Sequence, residues 1–291
     1  MLVYGSLAQI DHDDVIPPRM AAVVAGMELS GTTALVTGAN RGIGAALGRA
    51  LAQRPLRRLL LGMRDPASWD PISRPAGGAR EIVAVHMDLS SREQIDACCD
   101  ALGEDLGAID VLVNNAGLMT GGLLEEQDLE QVYAMFQVNL VAVAHLTSRI
   151  VPTMVGRCTG MVVNNTSISG YAYFPAASTY AASKAGVVGL SESLRRELRG
   201  TGVGVLHLVT PGVDTDMLAD TEQVYGRHID TSSWGRVSPE EWAHRVLGAI
   251  ERDAHVLGPG GRLGLAKFAS RGPAALLDAL SARMFSREPR G

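Results

Sequence analysis

Aromatic residues are scarce in this chain, at 4%, and cysteine is scarcer, with three in 291 residues. Cys98 and Cys99 are adjacent and Cys158 stands apart. They form neither a disulfide framework nor a metal-site spacing, and a reducing, cytoplasmic setting fits them best. No metal ligand set is predicted. No run of about 18 apolar residues is present, so no membrane span is expected. A cationic excess is also missing. The 26 Lys and Arg stand against 31 Asp and Glu, which predicts no broad nucleic-acid surface. The N-terminus lacks a basic start followed by an apolar run, which excludes a secretory signal. Internal repeats are absent. What is plentiful is glycine, 33 residues, in a chain that is 46% hydrophobic. That describes a soluble globular protein with many tight turns between short elements.

Residues 1–28, where Asp11, Asp13 and Asp14 precede Pro17-Pro18, read as a flexible N-terminal extension. The core spans 29–258. Strands are predicted at Thr32–Thr37, Arg58–Met63, Glu81–His86, Ile109–Val113, Met161–Asn165, Val203–Val209 and Ala254–Leu257. Helical patterns lie between them, including a long one over 128–155 with Val132, Phe136, Leu140 and Val143 as its buried stripe. A second helix buries Val187, Leu190, Leu194 and Leu198 and stops at Gly200 and Gly202. Ser90 with Glu93 reads as a capping box, and Ser238-Pro239-Glu240-Glu241 as a helix start. Strands alternating with helices define an α/β fold in a single domain. It is a doubly wound, mostly parallel sheet of six to seven strands with helices on both faces.

The first strand runs into Gly38-Ala39-Asn40-Arg41-Gly42-Ile43-Gly44 and then a helix. Glycines that admit a close backbone approach, followed by a helix N-terminus, make a phosphate cradle. After the second strand an NAD site usually carries an acidic residue. Met63 and Arg64 stand there instead, followed by Asp65, with Arg41 at the same corner. A guanidinium attracts a 2′-phosphate that a carboxylate repels, so NADP(H) is preferred over NAD(H). Strand four ends in Asn114-Asn115-Ala116-Gly117, small and polar where a nucleotide crosses the sheet edge. Ser167 follows strand five, at the carboxyl edge where ligands of parallel sheets bind.

Tyr180 and Lys184 stand four apart on a predicted helix, on one face and one turn apart. A phenol with a pKa of about 10 is a poor acid at neutral pH. A neighbouring ammonium lowers that value and suits the pair to proton transfer. Taken alone, the pair more often reads as an ordinary exposed Tyr and Lys. Asn139, inside the long helix, has two readings: a satisfied core amide, or an amide that opens the helix and orders a water. Residues 213–237 lack periodicity and read as a lid carrying Met217, Tyr225, His228 and Trp234, of which Met217, Tyr225 and Trp234 suggest an apolar or aromatic substrate. The tail, 259–291, is a basic amphipathic segment with Leu276, Leu277, Leu280 and Met284 as its stripe. It is expected to pack on its own domain or a neighbouring subunit rather than on a membrane surface.

Together, Thr37-Gly38-(x)3-Gly42-x-Gly44, Asn114-Asn115-Ala116-Gly117, Asn139, Ser167, Tyr180 and Lys184 resemble the short-chain dehydrogenase/reductase family over roughly residues 30–258. The resemblance implies a Rossmann-type fold and nicotinamide-dependent interconversion of an alcohol and a carbonyl. Homodimers or homotetramers through the long helices are implied as well. By position, Tyr180 would carry the proton, Lys184 would lower its pKa and hold the nicotinamide ribose, Ser167 would orient the substrate, and Asn139 would hold a relay water. Gly38, Arg41, Gly42 and Gly44 would bind phosphate, Asp88 the adenine, and Asn115 the cofactor across the sheet edge, with Asn40, Ile43, Arg64, Leu89, Ala116 and Gly117 as further cofactor-binding positions. Pro211, Gly212 and Val213 would also bind the cofactor, and Thr215 would lie near the nicotinamide amide, in a motif one residue shorter than the family's P-G-x-x-x-T. A non-catalytic NADP(H)-binding sensor is the alternative function.

Overall fold

The computed structural model describes residues 26–229, 235–260 and 285–288. The predicted extension, except for its last residues, and most of the tail lie outside them. The elements in chain order are β1 (Thr33–Thr37), α1 (Gly42–Ala52), β2 (Arg58–Met63), β3 (Ile82–His86), α2 (Arg92–Leu102), α3 (Glu104–Ala108) and β4 (Val111–Asn114). There follow α4 (Leu129–Phe136), α5 (Ala142–Gly156), β5 (Gly160–Asn165), α6 (Ser178–Glu197), β6 (Val203–Leu208), β7 (Gly212–Val213), α7 (Asp216–Tyr225), β8 (Arg236–Val237), α8 (Pro239–Glu251) and β9 (Val256–Leu257).

Seven strands pair in the order β3-β2-β1-β4-β5-β6-β9, all parallel. Each central strand is apolar on both faces, because both faces are covered by helices. Ala34 and Val36 join Leu59, Leu61, Val111 and Val113 beneath α1 and α8. Leu35, Leu60 and Leu112 point the other way, onto α2 and α5. These three leucines are fully buried, and each such side chain contributes about 1.5–3 kcal/mol over exposure. The chain reverses its winding between β1 and β4. The carboxyl ends of these strands therefore splay into a crevice, as open α/β sheets do at a switch point.

Four sequence expectations are corrected. The N-cap of α2 is Ser91, whose hydroxyl accepts from Gln94 N. Ser90 instead donates its N–H to Asp88 Oδ1, so the box lies one residue further on. The segment 213–237 contains α7, whose first N–H groups bond back to Thr215. The helix is too short for a clear period. The helical stretch over 129–156 is unbroken but passes through a π-turn, Gln137–Val141. The wider turn rotates the buried face, so Met135, Asn139, Ala142 and Leu146 point inward while Val132, Phe136 and Leu140 are only half-buried. This stretch is also long and apolar enough to cross a membrane by length and composition. Here Ala142, Leu146, Ile150 and Met154 sit in the core, so its apolarity serves packing. Finally, the inward face of α6 is largely polar: Tyr180, Ser183, Lys184 and Ser191 are buried alongside Val187, whereas Leu190 and Leu194 are partly exposed.

Candidate active site

One cleft of about 930 Å³ runs along the carboxyl edge of the sheet, and all the predicted cofactor-binding positions line it. At one end is the glycine turn. Gly38 and Gly42 both have positive φ, +64° and +54°, a region that other residues enter only at a cost. A Cβ on Gly44 would lie 2.0 Å from Gly38 O and 2.6 Å from Asn115 Nδ2. Only glycine lets α1 start this close to the turn. The helices α2, α4 and α8 each have a side-chain cap from Ser91, Asp128 and Ser238, whereas α1 has none. Its first-turn N–H groups and partial positive charge face the cleft, a fit for the diphosphate of a dinucleotide. Thr215 Cγ2 would lie 3.2 Å from a Cβ on Gly42, so Thr215 stands over this turn.

At the corner past β2, Arg64 and Asp65 line the cleft together with Asp88 and Leu89. Arg64 is exposed. Its carbonyl accepts from His86 Nδ1 at 2.8 Å, which holds the backbone while the guanidinium reaches outward. Arg41 lies 3.8 Å from Asp216, both largely exposed, a pairing worth little in water.

The middle is stitched by hydroxyls and amides, of which sequence reasoning did not single out Asn165 and Thr210. Thr37 Oγ1 accepts from the N–H groups of Asn115 and Ala116, both at 3.0 Å. Asn115 donates its amide to Thr37 O at 3.0 Å and accepts from Asn165 at 3.0 Å. Asn165 in turn accepts from Thr210 Oγ1 and, through its carbonyl, from Lys184 Nζ at 3.0 Å. The signal for Asn165 was available: it stands at the end of β5, two residues before Ser167.

At the far end Ser167, Tyr180 and Lys184 converge. Ser167 caps a short turn, accepting from Ser169 N at 3.1 Å. Lys184 Nζ is 5.8 Å from the Tyr180 ring centroid. Burial pushes the Tyr180 phenol up to about 12, and a hydrogen bond with Ser167 opposes that rise. Burial pushes the Lys184 ammonium down to about 8. The sequence reading made the ammonium the dominant influence on the phenol. Within the protein the dominant influence is desolvation, because α6 turns both side chains inward. Asn139 does not line the cleft but stands behind it. It accepts from Leu118 N at 2.8 Å and donates to Leu118 O at 2.9 Å and Ser183 Oγ at 3.1 Å. The helix does open at Asn139, into the π-turn, and its amide is satisfied by protein groups. Gly117 fits between Asn139 and Lys184, where an added Cβ would lie 3.3 Å and 3.7 Å from them.

Of the lid residues, Met217 lines the cleft with Leu218, Met119 and Phe174. Tyr225 and His228 do not. Tyr225 packs above Gly121, where a Cβ would lie 1.9 Å from its ring, and His228 pairs with Ser286 O at 2.9 Å. Trp234 lies outside the described residues.

Lys184 carries a testable cost. Its folded pKa is depressed, so its burial penalty is full below about pH 8 and fades as pH rises toward 10.5. Lys184→Met is expected to raise unfolding free energy at pH 7 by about 3 kcal/mol, with the gain vanishing near pH 10.5. Thermal denaturation at the two pH values checks this; a destabilised variant at pH 7 refutes it.

A glycine cradle at an uncapped helix, a topological switch point and a buried Ser–Tyr–Lys cluster lie along one cleft, and the chain's likeness to known proteins makes it a nicotinamide-dependent oxidoreductase. The chain belongs to the short chain dehydrogenase family, whose pattern matches residues 32–225. It is 34% identical to a 3-oxoacyl-[acyl-carrier-protein] reductase of Thermotoga maritima, covering 76% of this chain and 91% of that protein. It is 33% identical to the ketoacyl reductase HetN of Nostoc, covering 77% of this chain and 76% of that protein. A short chain dehydrogenase from Burkholderia cenocepacia, solved in complex with NADP, superposes with a TM-score of 0.71 at 28% identity, covering 88% of this chain and 98% of that one.

Proposed function

We propose that this protein is an NADP-dependent reductase of apolar ketones or aldehydes, with Tyr180 as the proton donor. The observation that carries the reading is the convergence of Ser167, Tyr180 and Lys184 at one end of a cleft whose other end is the glycine turn. A phenol held near 12 is protonated at neutral pH, which favours donation to a carbonyl over abstraction from an alcohol. Bound nicotinamide would supply the hydride. Ser167 would hydrogen-bond the carbonyl oxygen, and Tyr180 would protonate it. Lys184 would place positive charge beside the developing oxyanion. Asn139 would hold the Leu118 backbone and so set the floor between Gly117 and Lys184. Met119, Phe174, Met217 and Leu218 support an apolar substrate, and the ketoacyl reductases among the relatives fit carbonyl reduction.

The 2′-phosphate of NADP would meet Arg64. Arg64→Asp is expected to weaken NADPH binding about tenfold, since a hydrogen bond to a charged group is worth about 1.5–3 kcal/mol. NADH affinity would stay level or improve. Titration of both nucleotides checks it, and an unmoved NADPH:NADH ratio assigns the phosphate to another residue. Exposed Leu129, Tyr133 and Val141 on the outer side of the long helix support association as a homodimer or homotetramer. The three free cysteines support a reducing, cytoplasmic setting. The deciding experiment is consumption of NADPH and NADH by the purified protein across ketones, aldehydes and quinones. Turnover with neither nucleotide on any of them would count against the reading.

A further inference from the structure

Residues 285–288 pack against the segment that follows α7. Phe285 forms an antiparallel bridge with Ile229. Ser286 N donates to His228 O at 3.0 Å, and His228 Nδ1 pairs with Ser286 O at 2.9 Å. Arg287 bonds Glu125. His228 is buried, so these bonds are shielded from water and hold the segment in one register. Phe285 packs on a small cluster formed by Ala176, Ala177, Tyr225 and Ile229, with Met119 and Phe174 at its edge. Met119 and Phe174 are the two members that also line the cleft. Tyr225 stands close enough to Tyr180 for ionisation of one to oppose that of the other.

We infer that residues Phe285–Glu288 are a strap that backs the outer wall of the substrate pocket through the Tyr225 and Ile229 cluster, and that Phe285, as a positioning residue, sets the size of carbonyl compound the site accepts. The inference rests on the reductase reading of the cleft. Physically, Met119 and Phe174 are long or bulky side chains that need a backing layer to hold one position. Ala176, Ala177, Tyr225 and Ile229 supply that layer, and Phe285 packs against the same cluster and holds it in place. The cluster is separate from the two cores on the sheet faces. Loss of the strap should therefore loosen this wall without dissolving the fold or the nucleotide half of the cleft.

The test compares wild type with a chain ending at Met284, with Phe285→Ala and with Phe285→Leu. Each is assayed with NADPH on a ketone series from butanone to acetylnaphthalene. Truncation and Phe285→Ala are expected to raise KM for butanone about tenfold, the scale of a lost apolar contact in a pocket. KM for acetylnaphthalene should stay level or fall, NADPH affinity should be unchanged, and Phe285→Leu should recover most of the wild-type order. An unaltered size order overturns the inference. So does a uniform loss across the series that tracks a lower Tm, which would make the strap a fold element only. Should wild type turn over no ketone, the reductase reading fails by itself. The wall is then judged by calorimetric ketone binding to Tyr180→Phe protein with and without the strap. A shifted size order supports the wall, and an unshifted one overturns it.

Discussion

Replacing Tyr180 by Phe is expected to lower kcat for carbonyl reduction by about a thousandfold, within the range for loss of a positioned general acid. NADPH affinity should change little. The ring of Tyr180 is buried on the inner face of α6, and Phe keeps that packing. What is lost is the hydroxyl, bonded to Ser167. Loss of one such bond costs about 1 kcal/mol of stability, too little to unfold the protein. The variant thus separates chemistry from folding: circular dichroism and nucleotide titration report an intact cleft while the rate collapses. A variant that kept more than a tenth of wild-type kcat would remove Tyr180 from the proton step. Ser167 would then be the group to examine, as the other hydroxyl at that end of the cleft.

The second large effect lies at the opposite end. In Gly44→Ala the added methyl would sit 2.0 Å from Gly38 O and 2.6 Å from Asn115 Nδ2. Neither partner can yield cheaply. Gly38 is backbone in a left-handed turn, and Asn115 is fastened to Thr37 and Asn165. Overpacking of this kind costs about 1–3 kcal/mol, and here the displacement opens the glycine turn itself. Nucleotide affinity is expected to fall more than about a hundredfold, equivalent to about 2.7 kcal/mol, with Tm lowered as well. Gly48→Ala is a control on the same helix: its Cβ would meet the movable tip of Leu61 at 3.0 Å. Equal nucleotide affinity in the two variants would refute a special role for position 44.

Much of the site was legible beforehand for a local reason. The glycine turn is a contiguous string, and Tyr180 and Lys184 are four residues apart, so short-range spacing alone places them. Strand cores were legible because continuous apolar runs leave few alternatives. Elements without an amphipathic period were harder. The helix α7 was missed because it is short. The inward face of α6 was misjudged because it buries serines, a tyrosine and a lysine, which no hydrophobic pattern marks. The π-turn at Asn139 shifts a stripe that a regular period would extend unchanged.

The sequence by itself determined the α/β class, the phosphate turn, the Tyr–Lys pairing and the charge at the Arg64 corner. Each depends on neighbours in the chain or on the intrinsic chemistry of one residue. Only the tertiary structure decided how the pairing behaves. Burial of α6 against the sheet makes desolvation outweigh the ammonium at Tyr180, because a charge taken from water is penalised whatever stands beside it. Tertiary packing also decided which side chains face the cleft. Tyr225 and His228 turned inward to meet Phe285 and Ser286, a contact between segments nearly sixty residues apart that no local pattern encodes.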